Sequence, residues 1–357
     1  MKIPALLPLL ALLASASLCA PLVFAAEIAP TDPLIRYVGR FDDSRAEGPR
    51  AAWSASAIGF TVSGGSVAVK LNDNGKNFWQ VVINGEPTAV LALEKGEQTY
   101  VVAEDLAGGA HHIELVKRTE ASIGHSQITG LVIDDDAKLL PAPARPRRIE
   151  VIGDSISCGF GNEAANKEEK FTAATENAWL AYGAVAARAV GADYVCIAWS
   201  GKKLWPDNTI VELYDRVLPY SEKPDWDFSR QIPDAVVINL GTNDFDKENP
   251  DEAGWVTAYV EFISRIRGHY PDAPIYCAVG TMLGDWNPER KSRTTILGYI
   301  DQVIARANAA GGPPVRLIDF GVQKMENGIG ASWHPSAKTH GIMGGQLADA
   351  LKRDLGW

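Results

Sequence analysis

Cysteine is scarce, with four in 357 residues, at positions 19, 158, 196 and 277. Cys19 falls in a segment expected to be removed. The remaining three are an odd number, which excludes a fully paired disulfide scaffold. Cys196 and Cys277 lie in apolar runs and read as small buried hydrophobes. Basic residues are the minority charge, 34 Lys and Arg against 44 Asp and Glu, for a net −10. That balance disfavours binding to a phosphate backbone, so no nucleic-acid partner is expected. No cluster of His, Cys and acidic residues has metal-ligand spacing, and no metal is expected. Internal repeats and low-complexity tracts are missing.

Charge is also nearly missing from the start of the chain. Lys2 is the only charged residue before Glu27, the run from Ile3 to Phe24 is apolar, and Val23-Phe24-Ala25 offers small residues for a peptidase. Residues 1–25 are therefore expected to be a signal peptide, with an uncleaved anchor as the alternative because the run is nearly long enough to span. Leu18 before Cys19 is too large for a lipobox. The mature chain is expected to be secreted or periplasmic, with no membrane association after cleavage. Its oligomeric state is left open, with a monomer favoured.

What is present divides the chain in two. From Thr31 to about Leu140, residues alternate in polarity, as in Val67-Ala68-Val69-Lys70-Leu71, Gln80-Val81-Val82-Ile83 and His112-Ile113-Glu114-Leu115-Val116. Turn signals separate these runs at 72–75, at Asn84-Gly85 and at Gly108-Gly109. Short strands at this spacing predict an all-β sandwich over 31–140, with a hairpin at Asn84-Gly85. Pro141-Ala142-Pro143-Ala144-Arg145-Pro146 reads as a short stiff linker.

From Arg147 the texture becomes strand, helix, strand. Five apolar runs, 149–152, 194–198, 236–240, 275–279 and 315–318, read as strands of a parallel sheet covered on both faces. Amphipathic stretches between them present Tyr182, Val185, Ala186 and Ala189, then Val256, Tyr259, Val260 and Ile263, then Ile296, Ile300, Val303, Ile304 and Ala307. A last helix after Pro335 aligns Met343, Leu347 and Leu351. Residues 147–357 are predicted to form an α/β domain, and open sheets of this class bind ligands at their carboxyl edge.

Four stretches follow strands of that sheet in order: Gly153-Asp154-Ser155, Trp199-Ser200-Gly201, Gly241-Thr242-Asn243-Asp244 and Trp333-His334-Pro335. Each alone has an ordinary structural explanation, a cap for Ser155, a turn for Gly201 or an Asx-turn for Asn243. Together they resemble the Ser, Gly, Asn and His blocks of the SGNH (GDSL) hydrolases. Further stretches narrow the resemblance to carbohydrate esterase family two: Gly39-Arg40-Phe41-Asp42, Lys117-Arg118-Thr119-Glu120-Ala121 and Glu176-Asn177-Ala178-Trp179-Leu180-Ala181-Tyr182.

The resemblance implies an N-terminal jelly-roll sandwich before a flavodoxin-like α/β/α SGNH hydrolase domain with a parallel five-stranded sheet. It implies removal of acetyl groups from plant polysaccharides, often at O6 of hexoses, with no cofactor, and an acetylated polysaccharide or oligosaccharide as partner. Ser155 would be the nucleophile and His334 its base, with His340 a rival expected to pack within the last helix. The Ser155 N–H, the Gly201 N–H and the Asn243 side chain would be oxyanion donors. Asp154 and Asp244 would be structural. SGNH enzymes usually carry an Asp two or three residues before the histidine; here Ser332 and Ala331 stand there, so a main-chain carbonyl is the expected partner of His334. Trp199, Trp205, Trp286 and Trp333 lie near the blocks, and Trp286 and Trp333 are the candidates for stacking on sugar. Two other readings fit less well: a GDSL lipase or thioesterase for longer acyl chains, and an inactive carbohydrate-binding protein.

Overall fold

Alternating side chains set the first part of the chain into two antiparallel sheets. The computed structural model describes residues 26–357; the expected signal peptide, 1–25, lies outside them. One sheet runs in the order Phe41–Asp42, Arg50–Ala51, Ser126–Ile133, Gly65–Asn74, Lys95–Leu106, with Ala26–Ile28 added on Ser126–Ile133. The other runs Leu139–Leu140, Ala57–Val62, His111–Lys117, Phe78–Ile83, Glu86–Ala92, with Arg36–Val38 beside Ala57–Val62. Their inner faces bury Phe60, Leu71, Trp79, Ile113 and Leu131 against one another. The hairpin at Asn84-Gly85 forms as expected, with φ of +53° and +89° at the two turn residues, the left-handed pair such a turn requires. Two details differ from expectation. The sheet begins before Thr31, at Ala26, and residues 72–74 still belong to a strand. There the Asp73 carboxylate accepts the N–H of Gly75 at 2.8 Å, which moves the turn one step later.

The second part is a five-stranded parallel sheet in the order Ala192–Ala198, Arg147–Gly153, Ala235–Asn239, Ile275–Val279, Val315–Asp319. Helices Glu252–His269 and Ser292–Ala309 cover one face, through Val256, Tyr259, Ile263, Ile300 and Val303. Helices Tyr182–Ala189 and Ala337–Leu355 cover the other, through Tyr182, Ala186, Met343, Leu347 and Leu351. In Tyr182–Ala189 the buried stripe takes Ala187 rather than the expected Ala189, which is exposed. That helix packs against Ala337–Leu355 as well as the sheet, so its apolar arc is shifted and widened. Numbered along the chain, the sheet order is 2-1-3-4-5, whose switch point lies between the first and third strands.

The two parts meet over a buried polar and aromatic seam. Arg40 of the sandwich is fully buried, its guanidinium 5.1 to 5.6 Å from the ring centres of Tyr214, Trp226 and Phe228 and 3.7 Å from Glu150. Trp53 donates its Nε1–H to the Val217 carbonyl at 2.8 Å. The linker is pinned too, with Arg145 donating to Glu114 at 2.8 and 2.9 Å.

Candidate active site

Ser155 opens a single helical turn, Ser155–Cys158, directly after the strand Arg147–Gly153. Asp154 caps this turn by accepting the Ile156 N–H at 3.0 Å, and Gly159 ends it at φ +78°. Gly153 has no room for a Cβ, which would collide with the Ser157 side chain. The chain therefore turns sharply enough to leave the Ser155 hydroxyl at the carboxyl edge of the sheet. Gly201 and Asn243 follow the two strands that flank this one, so the switch point gathers all three.

His334 arrives from the far edge of the sheet, in a tight turn before helix Ala337–Leu355. The Gly330 N–H donates to the His334 carbonyl at 2.8 Å, and the His334 N–H to the Ala331 carbonyl at 3.0 Å. Between them Ser332 and Trp333 both take left-handed backbone, φ +50° and +68°. Such conformations cost a non-glycine residue about 1–3 kcal/mol, and here they fold the imidazole back over the Ala331 carbonyl. His334 Nδ1 lies 3.1 Å from that oxygen, and Nε2 lies 2.8 Å from Ser155 Oγ. A carbonyl can only accept, so the proton sits on Nδ1 and the lone pair of Nε2 faces the serine hydroxyl.

Burial pushes the imidazole of His334 down to about 4, against the opposing pull of the Ala331 and Ser332 backbone. Phe160 supplies part of that burial, its ring 4.3 Å from the imidazole, with Phe171 stacked behind it at 4.1 Å. No sequence signal marks either phenylalanine, although Phe160 lies only five residues after Ser155. His340 is buried in the last helix, where its Nδ1 accepts the Tyr182 N–H at 3.2 Å. Two acids near the turn in sequence are occupied elsewhere. Asp319 pairs with Arg293 and accepts the Gly321 N–H at 2.8 Å; Glu326 is exposed, 3.9 Å from Lys324.

Gly201 takes φ +78° in an exposed loop, and its carbonyl accepts from Asn208 Nδ2 at 3.0 Å. Among the described residues, neither its N–H nor that of Ser155 has a hydrogen-bond acceptor. Asn243 Nδ2 donates to the Lys202 carbonyl at 2.9 Å and makes a longer contact, 3.3 Å, to Asp154 Oδ2. The fully buried carboxyl of Asp154 is pushed up to about 7 by burial, with a further contribution from nearby Asp244. Asp244 is itself committed to the N–H groups of Leu204 and Trp205 and the Nε1–H of Trp255, at 2.9 to 3.2 Å.

Two clefts open here. One, about 730 Å³, is lined by Gly201, Trp205 and Asn243. The other, about 530 Å³, is walled by Trp286, Trp333, Met282, Val322, Met325 and Ile329. Trp286 and Trp333 are 71% and 54% exposed, which is unusual for so large an apolar side chain, whereas Trp199 and Trp205 are half-buried against the core. Behind the site, Glu120, Cys158 and Glu176 bring potential ligand atoms within 4.8 Å of one another. One oxygen of each carboxyl is already engaged, Glu120 Oε2 by the Ser200 N–H and Glu176 Oε2 by the Glu120 N–H, while Glu176 Oε1 is buried without a partner. Burial also pushes the Cys158 thiol well up, so it is a donor to Glu120 rather than a thiolate ligand.

Against known proteins, the family model for the carbohydrate esterase 2 N-terminal region matches residues 37–143, and that for the GDSL-like lipase/acylhydrolase family matches 151–342. The cellulase/esterase CelE of Acetivibrio thermocellus is 40% identical over 334 residues, 91% of this chain but 40% of that protein. The chain thus spans less than half of CelE. An acetylxylan esterase / glucomannan deacetylase of Cellvibrio japonicus is 30% identical over 327 residues, 85% of this chain and 86% of its own. Among solved structures, a family two carbohydrate esterase from Clostridium thermocellum in complex with cellohexaose superposes with a TM-score of 0.85. It shares 40% identity, over 90% of this chain and 99% of that one.

Proposed function

Because the chain belongs to carbohydrate esterase family two and is a carbohydrate esterase, we propose that it removes O-acetyl groups from plant polysaccharides, at O6 of their hexoses, by way of an acyl-enzyme on Ser155. The observation that carries this reading is the 2.8 Å contact between Ser155 Oγ and His334 Nε2, with Nδ1 on the Ala331 carbonyl. A serine hydroxyl needs such a base to become a nucleophile. Oγ attacks the acetyl carbonyl carbon as its proton passes to Nε2. The charge that develops on the former carbonyl oxygen falls to the N–H groups of Ser155 and Gly201 and to Asn243 Nδ2, which exchanges its long contact to Asp154 for the oxyanion. His334 then protonates the departing sugar oxygen. Water, deprotonated by the same nitrogen, attacks the acetyl-serine and releases acetate with the serine restored.

The exposed Trp286 and Trp333 present flat apolar faces suited to the sugar ring, while hydroxyls at its rim stay free. The sandwich, 26–140, and the hydrolase part, 147–357, act as one unit in the periplasm or outside the cell, after loss of residues 1–25. No helix among the described residues is long and apolar enough to cross a membrane. The cellohexaose bound by the Clostridium thermocellum structure and the deacetylase activity of the Cellvibrio japonicus relative support a polysaccharide substrate.

The test is acetate release from acetylated xylan, acetylated glucomannan and mono-acetylated sugars, alongside aryl esters of rising chain length. Ser155→Ala and His334→Ala should each abolish nearly all release, since removing one member of such a unit removes almost the whole gain. Rates should decline stepwise from acetyl to octanoyl, because each methylene shifts specificity by about 1–3 kcal/mol. Equal rates on acetyl and octanoyl esters, or loss in His340→Ala with retention in His334→Ala, would overturn the reading.

A further inference from the structure

The glycine loop of the site is not held by the hydrolase part alone. Glu120 lies just beyond the sandwich strand His111–Lys117 and is 2% exposed. Its Oε2 accepts the N–H of Ser200, the residue before Gly201, at 2.7 Å. The same oxygen accepts from Cys158 Sγ at 3.6 Å, and Cys158 ends the helical turn that Ser155 begins. One carboxylate oxygen from the sandwich thus touches both elements that carry the reacting groups.

The carboxylate is itself held in place. Its backbone N–H donates to Glu176 Oε2 at 2.9 Å. The buried Lys117 ammonium ties the loop together by donating to the Thr119 carbonyl at 2.7 Å and the Glu120 carbonyl at 3.3 Å. Arg118 donates to the Glu176 carbonyl at 3.3 Å, so the loop is bound across the seam as well. By contrast Gly201 is exposed, with nothing within 4 Å of where its Cβ would stand. A donor on so open a loop keeps its aim only if its neighbour is anchored.

We propose that Glu120 is a positioning residue of the active site: by holding the Ser200 amide and the Cys158 thiol on one oxygen, it fixes the Gly201 N–H relative to Ser155. This rests on the reading of Gly201 as an oxyanion donor. The sandwich then completes the oxyanion hole rather than merely accompanying the hydrolase part. Donors contribute to catalysis in proportion to how well they are fixed before the charge appears.

The test uses the full chain with 4-nitrophenyl acetate and its thionoacetate counterpart, whose sulfur is larger and a weaker acceptor than oxygen. Glu120→Met keeps the volume and removes the acceptor. It should lower kcat on the oxygen ester about 100-fold, the scale of one lost oxyanion donor, with little change in KM. The oxygen-to-sulfur rate ratio should collapse with it. Glu120→Gln keeps an acceptor oxygen and should retain both kcat, within about tenfold, and the ratio. If Glu120→Met does not fold, Glu120→Asp replaces it: the shortened carboxylate cannot reach both partners and must show the same loss and collapse. A purely structural role would lower thermal stability and leave the ratio at the parental value, which overturns the proposal. So would a loss in Glu120→Gln as large as in Glu120→Met. Ser155→Ala separates the two levels. If it stays active, the esterase mechanism and this proposal fall together; if it is dead while Glu120→Met keeps kcat and ratio, this proposal falls alone.

Discussion

His334 is oriented by its own turn: Nδ1–H donates to the carbonyl oxygen of Ala331, three residues upstream, at 3.1 Å. The left-handed pair Ser332 and Trp333 makes that reach possible. Ala331 is fully buried against Gly161, whose Cβ, if it had one, would collide with that of Ala331. The position thus has no space for a carboxylate without moving the serine-block loop. A neutral acceptor holds the tautomer but stabilises the imidazolium less than an anion does, since charge-assisted hydrogen bonds are roughly twice as strong.

The first consequence concerns pH. Burial lowers His334 to about 4, from an ordinary 6.5, and no anion pulls it back. In the proposed mechanism the base is the unprotonated form, so kcat/KM should hold as pH falls through 6.5 and decline only toward about 4. An acid limb with its midpoint at or above 6.5 would contradict this. Stability follows the same sign. The folded values of His334 and His340, about 4 and about 3, lie below the unfolded one. Below pH 6.5 the unfolded chain takes up protons that the folded chain refuses, and this contribution to stability is lost as pH falls through those values. Urea midpoints measured from pH 7 to pH 4 should fall, and less steeply in His340→Gln.

A second expectation is that no distant carboxylate serves as the third member. Asp319 is bound by Arg293 and Glu326 faces solvent. Asp319→Asn and Glu326→Gln should each keep kcat/KM within about threefold of the parent. A loss approaching ~10⁴, the scale for a missing triad carboxylate, in either variant would establish a relocated triad.

The exposed indoles carry a third. Trp286→Ala should raise KM for acetylated glucomannan about tenfold, corresponding to about 1.4 kcal/mol, with a smaller rise for an aryl acetate and little change in kcat. Equal KM values for parent and variant on the polysaccharide would remove Trp286 from the binding surface.

A fourth concerns the seam. Without the sandwich, Tyr214, Trp226 and Phe228 would lose the Arg40 side chain that covers them, and Glu150 its cationic partner. A buried charge stripped of its partner typically costs about 3–5 kcal/mol. Residues 147–357 expressed alone should aggregate or, where soluble, melt far below the full chain in a thermal scan. A soluble and fully active fragment would show the sandwich to be dispensable.

Local patterns were enough for much of this protein. Asn84-Gly85 dictates its hairpin because its backbone torsions suit few other residue pairs. The five apolar runs are strands because each is too short for a buried helix and too apolar for a surface. Ser155, Gly201, Asn243 and His334 are legible as candidates because each follows one of those strands, and the carboxyl edge of such a sheet is where a site can form. What sequence could not show are contacts between segments far apart along the chain. Glu120 stands 80 residues from Ser200, and Phe160 is separated from His334 by most of the hydrolase part. No local periodicity marks either pair, because it is the packing of the sandwich on the sheet that brings the first together and the return of the last loop that brings the second. The partner of His334 lies between these cases. The missing Asp was readable at Ala331 and Ser332, but that a carbonyl takes its place depends on two left-handed residues, and only the folded turn sustains that strained backbone.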